Sequence, residues 1–315
     1  MPDEGILITG GAGFIGSHLA DLFLRSGYTV YVLDNLSTGK MENLENASDS
    51  PNFRFIRGDV TRDLSDVLGG SALGGGPPVT AIFHLAARVD VTTSLEKPMD
   101  DARTNYIGTI NVLDYAIKND IKSVIFSSSA AVYGDTKDLP VSEDDDTKPL
   151  SPYGLNKLAS ENLLRIYREN FRIRTAALRF FNVYGPRQDP GSPYSGVISK
   201  FMDWAREGKP LIIYGDGKQT RECVYGEDVA MALYSAYHNR VSGVFNVGTG
   251  NETSVLELAG SVSKIAGRDL QKVHMDARKG EIKRSAASVD KLERECEYRP
   301  ETPLKEGLRE TFRNI

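Results

Sequence analysis

Cysteine is scarce in this chain. Its 315 residues carry two, Cys223 and Cys296, far apart and in no metal-like spacing. That usage excludes a disulfide framework, argues against structural zinc and fits a reducing compartment, so a cytoplasmic address is expected. Long hydrophobic runs are missing as well. The start, Met1-Pro2-Asp3-Glu4, is acidic and passes straight into a short apolar stretch. With no basic n-region, h-region or spanning segment, neither export nor membrane insertion is expected. Positive charge is not in excess: 38 Lys and Arg against 43 Asp and Glu leave a net charge of −5, with no dense basic stripe. The electrostatic footprint of a nucleic-acid or anionic-membrane binder is therefore absent, and any phosphate must be gripped locally.

What is present is globular. At 40% hydrophobic and 26% charged, the chain can bury a sizeable core as one large domain or two closely joined ones. Apolar β-branched runs at Gly5–Thr9, Thr29–Leu33, Phe53–Ile56, Val79–Leu85, Ser123–Ser127 and Thr175–Phe180 predict strands buried on both faces. Between them Ile15–Ser26, Asp101–Asn119 and Gly154–Asn170 carry apolar residues at helical spacing. Such alternation predicts an α/β fold, a doubly wound parallel sheet of Rossmann type. The Gly- and Pro-rich segment Gly69–Pro78 reads as a surface loop, and the acidic run Glu143–Asp146 as a solvated turn. Beyond residue 180 the pattern loosens, with helices at Gly196–Glu207, Glu227–His238 and Val255–Ala266. The expected division is a dinucleotide-binding domain over 1–180. Residues 181–315 then form mainly a smaller mixed α/β lobe, which leaves room for a segment that returns to the first sheet.

Gly10-Gly11-Ala12-Gly13-Phe14-Ile15-Gly16 lies between the first strand and the first helix. There a tight turn lets a pyrophosphate approach backbone N–H groups at a helix N-terminus, and side chains would block it. Asp34 closes the second strand about 20 residues after the last glycine, the distance at which a carboxylate accepts from ribose hydroxyls and repels a 2′-phosphate. NAD is thus expected over NADP. A glycine turn or a strand-end Asp alone would be ordinary; the two in order point to a nucleotide. Gly58-Asp59-Val60 is compatible with holding the adenine amino group, and equally with a plain Gly-Asp turn.

Tyr153-Gly154-Leu155-Asn156-Lys157 puts a phenol and an ammonium four residues apart on one helical face. A phenol ionises near pH ~10 and is a poor base at neutrality unless nearby positive charge, Lys157 plus the oxidised nicotinamide, stabilises the phenolate. Ser129, at the end of the fifth strand, is placed to bridge a substrate hydroxyl and the phenol. The Tyr-x-x-x-Lys spacing alone occurs in many helices as an exposed pair. The preceding glycine turn and Ser-rich strand end give it meaning.

Together Thr9–Gly16 (TGGAGFIG), His84–Ala87 (HLAA), Asn105-Tyr106-Ile107-Gly108-Thr109, Ser127–Gly134 (SSSAAVYG), Ser151–Lys157 (SPYGLNK) and Arg179–Gln188 (RFFNVYGPRQ) resemble the extended short-chain dehydrogenases that epimerise nucleotide sugars. The likeness covers nearly the whole chain and is nearest to the UDP-hexose 4-epimerases. It implies Ser129, Tyr153 and Lys157 as the catalytic trio. It implies NAD held by Gly10, Gly13, Phe14, Ile15, Gly16, Asp34, Asn35, Ser37, Thr38, Gly39, Asp59, Val60, Leu85, Ala86, Ala87, Asn105, Ser127 and Phe181, besides Tyr153 and Lys157. The related 4,6-dehydratases carry an Asp-Glu pair where this chain has Ala130 and Ala131. Oxidation at C4, turning of the ketose and reduction on the other face are therefore expected, with no net redox and no metal.

For the UDP-sugar the resemblance implies Arg221 and Arg278 on the pyrophosphate, Glu281 on the ribose, Asn182 on the phosphate or sugar, and Val197, Ile198 and Tyr214 on the uracil side, with Gln219 nearby. The chain departs from the family's usual Asp-aromatic pair at Glu222 and Cys223, and from its usual Pro at Lys279. Ser285 stands where the family often has a bulky Tyr, which leaves room for an N-acetyl group. UDP-GlcNAc and UDP-GalNAc are thus expected beside UDP-glucose and UDP-galactose. The rival readings are a UDP-glucuronate 4-epimerase or decarboxylase and, from another class, a non-catalytic NAD-sensing Rossmann protein. Helices Asp101–Asn119 and Gly154–Asn170 pair across a two-fold axis in relatives, which implies a homodimer.

Overall fold

The computed structural model describes residues 4–69, 73–136, 138–189, 196–277 and 283–314. Arg278, Lys279, Glu281 and residues 70–72 of the expected loop lie outside the described residues. Along the chain run β1 (Gly5–Thr9), α1 (Phe14–Arg25), β2 (Thr29–Asp34), α2 (Glu45–Ser48), β3 (Phe53–Arg57), α3 (Leu64–Leu68), β4 (Val79–His84), α4 (Val91–Glu96) and α5 (Pro98–Ala102). Next come α6 (Gly108–Lys118), β5 (Ser123–Ser129), α7 (Pro152–Asn170), β6 (Arg174–Phe180), β7 (Asn182–Tyr184), α8 (Val197–Glu207), β8 (Leu211–Tyr214), β9 (Thr220–Tyr225) and α9 (Gly226–His238). The chain closes with β10 (Gly243–Val247), β11 (Glu252–Ser254), α10 (Val255–Ile265), β12 (Lys272–Met275), α11 (Asp290–Cys296) and α12 (Leu304–Arg313).

Seven parallel strands make the large sheet, in the order β10-β6-β5-β4-β1-β2-β3. The order reverses between β1 and β4, and in open sheets of this kind ligands bind outside the carboxyl ends at that switch point. Strand β1 is buried throughout because each face has a cover. Ile6 and Ile8 pack with Phe23 of α1 and Leu233 of α9, while Leu7 packs with Val112 of α6 and Leu164 of α7. Each such side chain contributes about 1.5–3 kcal/mol on burial. The expectation of strands buried on both faces fails at β3, where Arg54 and Arg57 are exposed. It is the edge strand, and charge there blunts unwanted pairing.

The expected helix from Asp101 to Asn119 is α5 and α6 joined through a π-helical turn, Arg103–Ile107. Residues past 180 divide between two layers. β10 joins the large sheet beside β6, and α9 packs on α1. The rest forms a three-stranded sheet, β11-β9-β7, and a two-stranded one, β12-β8, around a core that includes Phe201, Leu211, Leu258 and Leu308. The acidic run is not simply solvated: Glu143 Oε1 accepts from the backbone N–H of Asn246 at 2.7 Å, which ties this turn to β10. Among the described residues no helix is long and apolar enough to cross a membrane.

Candidate active site

The turn after β1 is built for close approach. Gly10 has φ +71°, and a Cβ there would stand 2.6 Å from the Ala86 nitrogen, so β1 and the end of β4 meet with no room for a side chain. A Cβ on Gly16 would stand 2.4 Å from the Gly10 carbonyl oxygen. Gly13 caps α1 with no side-chain hydrogen bond, which leaves the first amides of the helix, from Phe14 on, for a ligand anion. The Phe14 ring itself is turned away and wedged against Gly226, where a Cβ would come within 2.6 Å of it. Asp34 ends β2 buried, its Oδ2 accepting from Ala12 N at 3.0 Å and its Oδ1 from Leu36 N at 2.8 Å. Burial pushes this carboxyl up despite the two amide bonds. Ser37, Thr38 and Gly39 fold back over the turn, with Lys40 N donating to Ala12 O at 3.0 Å. Asn35 Nδ2 donates to Asp59 Oδ2 at 2.9 Å, so the ends of β2 and β3 are joined. Free helix amides, a cradle closed to side chains and a strand-end carboxylate together fit a dinucleotide.

Ser127, Ser129, Tyr153 and Lys157 meet at the carboxyl ends of β5 and β6. Ser151 caps α7 by accepting from Gly154 N at 3.1 Å, and Pro152 opens the first turn. The glycine between Tyr153 and Lys157 is required: a Cβ at 154 would stand 2.6 Å from the Ala131 carbonyl oxygen. α7 is thereby pressed against the turn that follows Ser129, whose Oγ accepts from Ala131 N at 3.2 Å. Lys157 is 2% exposed; its Nζ donates to the Ser127 carbonyl at 2.7 Å and lies 4.6 Å from the centre of the Phe126 ring.

Burial pushes Tyr153 up to about 12, while the Ser129 hydrogen bond works the other way and the charge of Asp101 adds to the rise; the Lys157 ammonium stands 5.9 Å from the centre of the Tyr153 ring. Burial also lowers Lys157 to about 7, against the pull of Asp101 and Glu161. The low-dielectric site disfavours both charged forms, and one N–H of the ammonium goes to the Ser127 carbonyl.

Asp101, His84 and Asn156 are given no role at the site by the sequence, although His84 opens the HLAA motif and Asn156 lies inside SPYGLNK. Asp101 is 1% exposed and accepts from Asn156 Nδ2 at 2.7 Å and Asn105 Nδ2 at 3.0 Å. Asn105, in the π-helical turn, spends its amide on Asp101 and on both backbone groups of Arg88, at 2.9 Å each. It thereby fixes the loop that holds Leu85, Ala86 and Ala87. His84 bridges Thr9 Oγ1 at 2.7 Å and Thr109 Oγ1 at 3.1 Å beneath the site.

Burial holds His84 at about 3, with the Lys157 charge adding to the fall. Its folded value is below the unfolded one, so under pH 6.5 the unfolded chain binds a proton that the native chain refuses. Stability therefore falls as pH falls through that window, by about 1.4 kcal/mol per pH unit for this residue. Urea unfolding between pH 6.5 and 4.5 is expected to show a slope shallower by that amount in His84→Gln, and an unchanged slope would contradict it.

The remaining sequence-derived residues lie around β7 to β9. Phe181 is buried beside Val132, Tyr133 and Ala287. Asn182 Nδ2 donates to the Glu222 carbonyl at 3.0 Å, and Gln219 Nε2 to the Tyr214 carbonyl at 2.8 Å. Val197 opens α8, while the Ile198 side chain belongs to the core of this lobe. Ser285 is half-buried in the segment alongside the start of β9, where Thr220 N donates to Lys283 O at 2.9 Å.

A seven-stranded parallel sheet with a glycine-turn nucleotide site and a Ser-Tyr-Lys cluster, its tyrosine and lysine buried, defines a short-chain dehydrogenase type of protein. Residues 6–248 match the NAD dependent epimerase/dehydratase family, and the chain belongs to that family. It is 40% identical over 306 residues to a protein described as a putative UDP-glucose 4-epimerase of Methanocaldococcus jannaschii, covering 96% of each chain. A solved UDP-N-acetylglucosamine 4-epimerase of Methanobrevibacter ruminantium, in complex with UDP-N-acetylmuramic acid, superposes with a TM-score of 0.92 at 36% identity, covering 99% of this chain and 98% of that one. A UDP-glucuronic acid 4-epimerase of Bacillus cereus, solved with UDP-glucuronic acid and NAD, gives 0.88 at 33% identity and 98% of each chain. The cofactor is NAD, as in the family, and the cradle fits a dinucleotide.

Proposed function

We propose that the protein is a UDP-hexose 4-epimerase that interconverts UDP-glucose with UDP-galactose, and UDP-GlcNAc with UDP-GalNAc, while NAD stays bound. The juxtaposition of half-buried Ser129 with buried Tyr153 and Lys157 carries this reading. The cofactor cradle offers the Phe14, Ile15 and Gly16 amides to the pyrophosphate, Asp34 to the ribose, and Asp59 with Val60 to the adenine. Bound NAD supplies the hydrogen acceptor, and later donor, at C4 of the sugar. With the phenolate favoured by Lys157 and by the positive charge that bound NAD brings, Tyr153 would take the proton of the C4 hydroxyl as the carbonyl forms, Ser129 would bridge phenol and substrate, and Tyr153 would return the proton after the sugar has turned. Arg221 and Arg278 hold the pyrophosphate, Glu281 the ribose, Asn182 the phosphate or sugar, and Val197, Tyr214 and Gln219 the uracil side.

Epimerisation of UDP-glucose, UDP-GlcNAc and UDP-glucuronate, followed in parallel by NMR with and without added NAD, tests the assignment. Conversion of the first two supports it. Conversion of UDP-glucuronate alone makes the protein a uronate enzyme, and no conversion of any of them ends the UDP-hexose reading. Ser285→Tyr is expected to lower kcat/KM for UDP-GlcNAc about tenfold or more and to leave UDP-glucose nearly unchanged. Equal losses on both would remove Ser285 from the specificity argument. A homodimer belongs to the same reading, supported by Leu95, Met99, Ile107, Leu155 and Ile166, which are exposed on the packed helices α4 to α7 and the π-helical turn. Light scattering at micromolar concentration should give twice the chain mass, and a monomer mass would refute the dimer.

A further inference from the structure

Glu222 departs from the family's usual residue, and the structure shows where its carboxylate goes. It sits on β9 next to Arg221 and is fully buried. Its Oε1 accepts from Gly250 N at 2.8 Å and from Thr249 N, and its Oε2 accepts from Ala287 N. Gly248 opens the niche: a Cβ there would stand 1.9 Å from Oε1. The segment that Ala287 belongs to is stitched on its other edge to Val141, which donates to Ala286 O at 2.9 Å and accepts from Ser288 N at 2.8 Å. Ser285 therefore lies between two ties to β9, the Thr220–Lys283 bond on one side and the Glu222–Ala287 bond on the other, with Arg221 between Thr220 and Glu222.

We propose that Glu222 is a positioning residue that sets the distance between Arg221 on β9 and Ser285 on the neighbouring segment, and with it the room beside the sugar's C2 substituent. This rests on the UDP-sugar reading of those two residues. Three converging N–H groups need a group that only accepts. A carboxylate meets that demand, whereas glutamine must turn its NH2 toward a backbone donor on one side or the other. Aspartate is shorter by one C–C bond, about 1.5 Å, and cannot span from β9 to both the 248–250 turn and Ala287. Either change leaves buried amides without partners, and the segment moves to resolve them.

Glu222→Gln and Glu222→Asp in the full chain test this through hydrogen exchange of residues 248–250 and 283–288, steady-state kinetics on UDP-glucose and UDP-GlcNAc, and bound NAD content. Both variants are expected to exchange these amides at least about tenfold faster and to raise KM about tenfold for UDP-GlcNAc and by a smaller factor for UDP-glucose, with kcat nearly kept. The UDP-GlcNAc to UDP-glucose ratio of kcat/KM should shift and the NAD content stay the same, which a general loosening of the fold would not produce. Faster exchange with unchanged KM and ratio overturns the proposal, as does unchanged exchange. Should the native protein turn over neither nucleotide, the UDP-hexose reading is what fails. Titration with UDP then decides the positioning role: weaker binding in both variants upholds it, and equal binding overturns it.

Discussion

Tyr153→Phe is expected to lower kcat for epimerisation by about 10²–10⁴-fold, the range that a positioned proton carrier supplies. The change is confined to one atom. Phenylalanine fills the same space in the first turn of α7, so no cavity opens beside Ala131, and the Ser151 cap and the Lys157 bond to Ser127 stay in place. What disappears is the hydroxyl, with its hydrogen bond to Ser129. Burial disfavours the phenolate by the same desolvation that keeps water out, so no solvent molecule can readily replace the missing oxygen as a proton carrier. Bound NAD and the melting temperature should match the native protein, which separates lost chemistry from lost fold. A variant that retains native kcat would show that the proton travels by another route, and the mechanism proposed above would have to be abandoned.

Glu161→Gln should have the largest effect on stability. Glu161 and Arg179 form a two-pronged pair, with Nε to Oε1 at 2.9 Å and Nη2 to Oε2 at 2.7 Å, and their side chains are only 4% and 5% exposed. Burial alone would lower the Arg179 value, yet Glu161 raises it well above the ordinary one, so the guanidinium stays charged. Ser128 Oγ donates to the same carboxylate, and the guanidinium carbon lies 4.6 Å from the centre of the Tyr133 ring. Removing one partner leaves a buried charge uncompensated, which costs about 3–5 kcal/mol. For a chain of this size that lowers Tm on the order of 10 °C. Glu161 lies one turn beyond Lys157 on α7, so kcat should fall too as the helix shifts. Replacing both residues, Glu161→Leu with Arg179→Met, is expected to recover much of the stability, because two apolar side chains leave no charge to solvate. Thermal unfolding of the three proteins decides the point; a single variant within about 1 kcal/mol of native would mean that the pair contributes little.

These two residues mark how far a sequence can be read. Tyr153 was legible because its partners are near in the chain: Gly154 and Lys157 share its helix, and Ser151 and Pro152 open it. The glycine turn and Asp34 were legible for the same reason, since a strand, a tight turn and a helix follow one another and glycine is demanded where backbone meets backbone. The alternation of strands and helices gave the parallel sheet, because strands covered on both faces must be apolar throughout. Glu161 and Arg179 looked like ordinary charged residues of a helix and a strand.

Their pairing, the inward turn of Glu143, the π-helical turn that aims Asn105, and the hold of Asp101 on Asn156 all join residues distant in sequence. So do the entry of β10 into the large sheet and the reach of Glu222 to Ala287, 65 positions away. The chain's own pattern determined which segments are strands and helices, where the nucleotide turn lies and which helix carries the phenol, because those depend on the spacing of neighbours. Tertiary structure alone decided which charges are buried, what compensates them and how the site's two halves are held in register. A charged side chain reads alike whether it meets water or a partner, and only packing removes the water.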